Sequence, residues 1–254
     1  MSWQYAHAVV PQPKRSITGT PCEDVGLVEA HVNAAKQEIL LAVVSDGAAG
    51  ASKAKVGAEI VSSTLQRILR SWVTDSRSVS EVTRHCLEMW IKQAQDAVAK
   101  DAATRGLDPF QYSCTLLLVV AGPDCSVYAQ IGDGAIVIGD GAAFQYVFWP
   151  ESGEYNNITY FVTDKDALDH LQMQIHNGEP KSIAIFSDGI EQVLLRFQTR
   201  TVRSDIFKLL FERLAKEAPG YSEGVANELD GLLRTPAILA RIYDDRTLIV
   251  ARPA

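Results

Sequence analysis

The feature that most constrains this chain is an unbroken apolar run, residues 39–44, that stops at Ser45-Asp46-Gly47. A short apolar run without polar alternation predicts a strand covered on both faces. An acidic residue followed by Gly ends such a strand at the rim of a core. There the carboxylate faces water and the backbone is free to turn. The same grammar returns at 182–189, SIAIFSDG. Two Ser-Asp-Gly strand exits, far apart in the chain, suggest two carboxylates aimed at one spot.

The rest of the chain supplies a frame for them. Strands are expected at 3–10, 25–32, 113–121, 126–131, 135–138, 143–149, 159–163 and 181–187, and a terminal hairpin from 238–243 and 247–251. The strands are short and the turns between several of them tight, Gly122-Pro123-Asp124 and Gly139-Asp140-Gly141 among them, which favours antiparallel pairing. Apolar residues three and four apart predict helices at 52–73, with Ser52 as cap, and at 79–104, with a Ser78/Glu81 capping box. Shorter helices are expected at 190–195, 204–218 and 222–233. Residues 11–21 and 150–157 read as loops, and 151–180 is the best place for a substrate-facing loop. No composition shift marks a boundary, so 1–254 reads as one β-rich domain with flanking helices.

Composition excludes several classes. Lys and Arg number 24 against 31 Asp and Glu, a net charge of −7, which disfavours a general binder of nucleic acid or anionic membrane. No apolar run approaches the ~20 residues needed to span a bilayer, and the first residues lack a signal-peptide core. The chain reads as a cytoplasmic protein. Its four cysteines show neither CxxC nor zinc spacing and are expected to be reduced thiols. No GxSxG and no GxxxxGK[ST] is present.

What remains is acidic. Glu23, Asp24, Asp46, Asp133, Asp188, Asp244 and Asp245 all stand at strand ends or tight turns. Oxygen ligands without a His/Cys cluster select hard cations such as Mg²⁺ or Mn²⁺. Two such ions about 3.5–4 Å apart can hold a bridging hydroxide in line with a phosphoryl group, with no need of a nucleophilic side chain. The pattern points to a metal-dependent hydrolase.

The motifs, in order, are GTPCED (19–24), AVVSDGAAG (42–50), YSCTLLLVV (112–120), QIGDGAIVI (130–138), AIFSDGIEQVL (184–194) and DDRTLIV (244–250). Together they resemble the metal-dependent serine/threonine protein phosphatases of type 2C, in particular a short bacterial branch. The resemblance implies an α+β fold, a four-layer αββα sandwich of two antiparallel sheets flanked by helix pairs. It implies Asp46 as the carboxylate bridging two Mn²⁺ or Mg²⁺ ions, with Glu23 and the Gly47 carbonyl completing one site and Asp188 and Asp244 the other. Asp46, Asp188 and Asp244 would then carry the catalysis, and Asp133 would hold an optional third ion. Phosphoserine and phosphothreonine proteins are the implied partners, with a cognate kinase acting in opposition.

The chain departs from the family pattern in places. Ala48 stands where many eukaryotic members have a His, so leaving-group protonation falls to water or another residue. Gly19 stands at the usual phosphate-binding Arg, which makes Arg15 the nearest substitute. Asp245 replaces an Asn and reads as a turn or supporting residue rather than a ligand. A rival reading keeps the scaffold without turnover, as a pseudophosphatase that binds phosphoproteins.

Overall fold

The apolar strands owe their composition to being covered twice. In a computed structural model, which describes residues 2–75, 78–141, 143–150, 159–240 and 242–254, two sheets pack face to face and helices close their outer sides. Along the chain run β1 (Trp3–Val10), α1 (Pro13–Thr18), β2 (Val25–Val32), β3 (Glu38–Ser45), α2 (Ala54–Thr74) and α3 (Arg84–Arg105). Then come β4 (Leu116–Ala121), β5 (Cys125–Ile131), β6 (Ala135–Gly139), β7 (Phe144–Tyr146), β8 (Gln172–Asn177) and β9 (Ser182–Phe186). The remainder is α4 (Glu191–Leu194), β10 (Leu195–Arg196), β11 (Thr201–Val202), α5 (Ser204–Leu214), β12 (Gly220–Tyr221), α6 (Glu223–Leu233), α7 (Pro236–Leu239) and β13 (Arg246–Pro253).

One sheet has the order β12-β1-β13-β9-β6-β7 and the other β2-β3-β4-β5-β8. All their pairings are antiparallel except the short β1–β12 edge. Alternation along each strand divides its residues between two cores. Leu40, Ala42 and Val44 of β3 meet Ile183, Ile185 and Ile249 between the sheets. Ile39, Leu41 and Val43 face the opposite way, onto α2 and α3. A third core sets Ala184, Phe186, Leu248 and Val250 against Phe207, Phe211 and Leu229 of α5 and α6. The result is the αββα layering.

The expected helix pair is present, with shifted caps. Ser52 caps nothing; α2 starts after Lys53 without a side-chain cap. Ser78 caps a single 3₁₀ turn, and Thr83 caps α3 through the Cys86 N–H. Trp72 and Trp90 meet edge-on at 5.9 Å between α2 and α3.

Three expectations fail. Residues 159–163 form no strand; the segment crosses above β4 with the Val162 N–H on the Cys114 carbonyl at 2.8 Å. The strand that covers β5 is instead β8, polar and largely exposed as suits an edge. There is no terminal hairpin, because β13 already pairs with β1 on one side and β9 on the other. The preceding apolar residues fold as α7, with Pro236 at its first turn. Residues 11–21, read as a loop, contain α1. Of 150–157, all but Pro150 lie outside the described residues.

Register brings the acidic motifs to one end of the sandwich. Val25 at the start of β2 pairs with Ser45 at the end of β3. Leu116, opening β4, pairs with Ile131, closing β5. Phe186 at the end of β9 lies opposite Ala135 and Leu248, and Arg246 opposite Val10. Each Asp-Gly exit therefore faces the entry of its neighbour.

Candidate metal centre

At that end Glu23, Asp46, Asp133, Asp188 and Asp244 line one cleft of ≈ 850 Å³, together with Gly47 and Arg15. Each residue that the resemblance implied as a metal or phosphate ligand lines this cleft, whereas Asp24 and Asp245 of the acidic set are buried beside it. The five carboxylates are partly buried, open to the cleft on one side.

Each of the two Ser-Asp-Gly motifs is tied down through its serine hydroxyl, to different partners. The Ser45 hydroxyl donates to the Thr115 carbonyl at 2.7 Å, and the Asp46 N–H donates to Thr115 Oγ1 at 3.1 Å. Ser187 Oγ donates to Asp24 Oδ2 at 2.7 Å and accepts from the Thr247 N–H at 3.0 Å. Gly47 forms a bridge to Cys114 whose flanking bonds use the Asp46 carbonyl and the Ala48 N–H. The Gly47 carbonyl takes no part in those bonds. A Cβ at Gly47 would stand 2.9 Å from Ala54 at the start of α2, so the strand exit and the helix can touch only through Gly.

Three supporting residues were not singled out as such from the sequence. Asp24 is fully buried; its Oδ2 also accepts from Thr247 Oγ1 at 2.7 Å, joining β2 to the β9 exit and β13. Glu191 lies behind Asp133 and Asp188 and accepts the Gly134 N–H at 2.8 Å. Its place one helical turn after Asp188 was the available signal. Arg246 is buried and donates to the Pro11 carbonyl at 2.6 Å. Asp245, expected as a turn or supporting residue, is 2% exposed. It accepts the Gln12 N–H at 2.7 Å and the Glu23 N–H at 2.6 Å, and pairs with Arg15 at 3.3 Å.

Arg15 also pairs with Glu23. Among the described residues, no three His, Cys, Asp or Glu side chains form a closed ligand set. Glu23 is engaged by the Arg15 guanidinium. The donor set nevertheless fits a hard cation. It is all oxygen, and Asp188 Oδ1 is buried without a hydrogen-bond donor.

The electrostatics are those of crowded, desolvated acids. Burial first, then the charges of Asp24 and Asp188, raises the Asp46 carboxyl well above the usual range. Burial likewise pushes Asp24 and Asp244 up to about 6, Asp133 to about 7 and Glu191 to about 9. Each group holds its proton more tightly folded than unfolded, where a carboxyl titrates near 4. Between about pH 4 and 9 the folded state therefore binds more protons, and stability falls as pH rises through that window. In EDTA the protein should melt at lower temperature at about pH 8 than at about pH 6. Divalent cations, which require deprotonated ligands, should reverse that order. Equal melting temperatures at the two pH values in EDTA would contradict the picture.

Comparison with known proteins agrees with this architecture. The family model described as protein phosphatase 2C matches residues 12–234. The chain belongs to the protein phosphatase 2C family. As a family member it is a phosphatase. It is similar to serine/threonine-protein phosphatase 3 of Escherichia coli (strain K12), 28% identical over 254 residues, covering 99% of this chain and 98% of that one. Among solved structures it shares its fold with serine/threonine phosphatase Stp1 from Staphylococcus aureus, at TM-score 0.65, 18% identity and coverage of 100% and 96%. The catalytic domain of serine threonine protein phosphatase PstP, solved in complex with 2 manganese ions, superposes at TM-score 0.66, 14% identity and coverage of 99% and 98%. Ala48, lining the cleft next to Gly47, gives this 2C phosphatase no side-chain acid at that position. Of the stretch 151–180 expected to face substrate, 151–158 lie outside the described residues, while Thr159 and Phe161 line the cleft. No helix among the described residues is long and apolar enough to cross a membrane.

Proposed function

We propose that the protein hydrolyses phosphoserine and phosphothreonine in proteins, using a pair of Mn²⁺ or Mg²⁺ ions. The observation that carries this reading is the convergence of five carboxylates from distant strand ends on one cleft. Asp46 sits centrally, within hydrogen-bond reach of Asp24 and Asp188, and would bridge the pair. Glu23 and the Gly47 carbonyl would complete one ion's ligands, Asp188 and Asp244 the other's. Asp133 would hold an optional third ion. Bound ions supply charge neutralisation for the phosphoryl group and an acidified water as nucleophile.

The chain's own residues orient these groups. Asp24, tied by Ser187 and Thr247, keeps the Asp46 and Asp188 loops in contact. Asp245 fixes the Glu23 backbone and the segment bearing Arg15. Arg15, released from Glu23 as that carboxylate turns to an ion, would grip the phosphate with its planar fork. A cognate kinase, supplying the phosphorylated substrate, is the expected counterpart.

The binding-only alternative is disfavoured, since crowded carboxylates without cations only cost stability. The test is hydrolysis of p-nitrophenyl phosphate and a phosphothreonine peptide with Mn²⁺, Mg²⁺ or EDTA. Turnover with either ion and none in EDTA is expected. Turnover indifferent to EDTA, or none with any divalent ion, would refute the reading.

A further inference from the structure

Beside the acidic cleft lies a second groove, of ≈ 590 Å³, built from the segment that follows Asp188. Gln192 lines both, so the two are neighbours. The groove belongs to the small hairpin β10–β11, whose strands pair Leu195 with Val202 and Arg196 with Thr201. In a chain of net charge −7, this short segment carries Arg196, Arg200 and Arg203.

Among the described residues the three arginines are poorly neutralised. There Arg196 pairs only with Asp205, at 3.8 Å, with side chains 55% and 68% exposed. Such an exposed pair contributes little. Arg203 makes no ion pair among the described residues, and its Nε is buried without an acceptor. A buried donor of that kind is costly until an acceptor arrives. Arg200 lies over the Trp149 ring, 5.9 Å from its centroid. It holds φ at +49°, a strained backbone for a residue with a side chain. Trp149 in turn packs edge-on against Tyr146 at 5.0 Å and Phe197 at 5.4 Å. The hairpin is thus braced by aromatic contacts, and Phe197 remains 46% exposed beside the guanidinium groups.

We propose that this groove docks an acidic segment flanking the phosphorylated residue of the substrate protein. Arg196 and Arg203 receive its Asp and Glu carboxylates, which match a guanidinium in charge and planar geometry. Charge complementarity is the reason for that choice of occupant. Basic ground at the edge of the cleft attracts an acidic flank and steers the encounter. The inference rests on the phosphatase reading above and names the class of substrate for it.

The test uses the full chain with Mn²⁺ and two phosphothreonine peptides of one core, one with Glu/Asp flanks and one with neutral flanks. Wild type should favour the acidic peptide by about tenfold in kcat/KM, and R196E should abolish that preference. R196E should leave p-nitrophenyl phosphate and the neutral peptide within about twofold of wild type. R203Q provides a second variant, with the same loss expected. Equal kcat/KM for the two peptides in wild type, or an equal loss on both in R196E, would overturn the docking site. Fluorescence anisotropy of the same labelled peptides reads binding without turnover. Should wild type fail on p-nitrophenyl phosphate, the phosphatase reading falls, while preferential binding of the acidic peptide that R196E removes would still support the groove. Equal binding would refute it.

Discussion

Asp46→Asn is expected to lower Mn²⁺-dependent hydrolysis of p-nitrophenyl phosphate by about 10³-fold or more, beyond the 10–100-fold typical of a partner outside the ligand set. The same substitution should raise the melting temperature in EDTA. Both effects follow from where the side chain sits. Asp46 is crowded by Asp24 and Asp188 in a desolvated corner, which disfavours its charged form. A carboxamide brings its own N–H donors to those neighbouring carboxylates and carries no charge to desolvate. What it cannot do is bridge two cations as an anionic ligand. Turnover assays and thermal melts on one preparation separate the two effects. Near-wild-type turnover in Asp46→Asn would remove the central ligand from the scheme.

Gly189→Ala should be nearly as damaging to activity, and destabilising as well. A Cβ there would lie 1.8 Å from the Asp245 carbonyl oxygen and 3.0 Å from its carbon. Those are backbone atoms, so no side chain can swing aside. The β9 exit and the turn before β13 would have to separate, at a cost of about 1–3 kcal/mol. The damage spreads because Asp245 also fixes the backbone N–H groups of Gln12 and Glu23. Urea melts and p-nitrophenyl phosphate turnover would register both losses. A variant as stable and active as wild type would show that this contact does not set the cleft's geometry.

The parts of the site that could be read from the sequence are those where one strand ends. Asp46, Asp133 and Asp188 each follow an apolar run and adjoin Gly, so local grammar places them at a rim. Their meeting in one cleft depends on register, which no single segment encodes; order and resemblance stood in for it. Glu191 escaped, and Asp24 was noted only as one acidic turn residue among seven, because their importance lies in what packs around them. Asp24 is defined by Ser187 and Thr247, both remote in sequence. The misread 238–243 segment makes the same point from the fold side. Its short apolar run suits a strand, but β13 has both edges already taken, so tertiary context overrides pattern. Edge strand β8 failed in the opposite sense: pairing with β5 needs only its backbone, and its polar side chains hide it.

The position of β13 between β1 and β9 carries a consequence for biosynthesis. That strand leaves the ribosome after every other strand of both sheets, yet it fills an interior slot and delivers Asp244 and Asp245 just ahead of it. A nascent chain that has already exposed Glu23, Asp46, Asp133 and Asp188 lacks the final wall of its cleft. A polypeptide cut short before Asp244 is expected to lack turnover, because an interior strand and one wall carboxylate are then missing together.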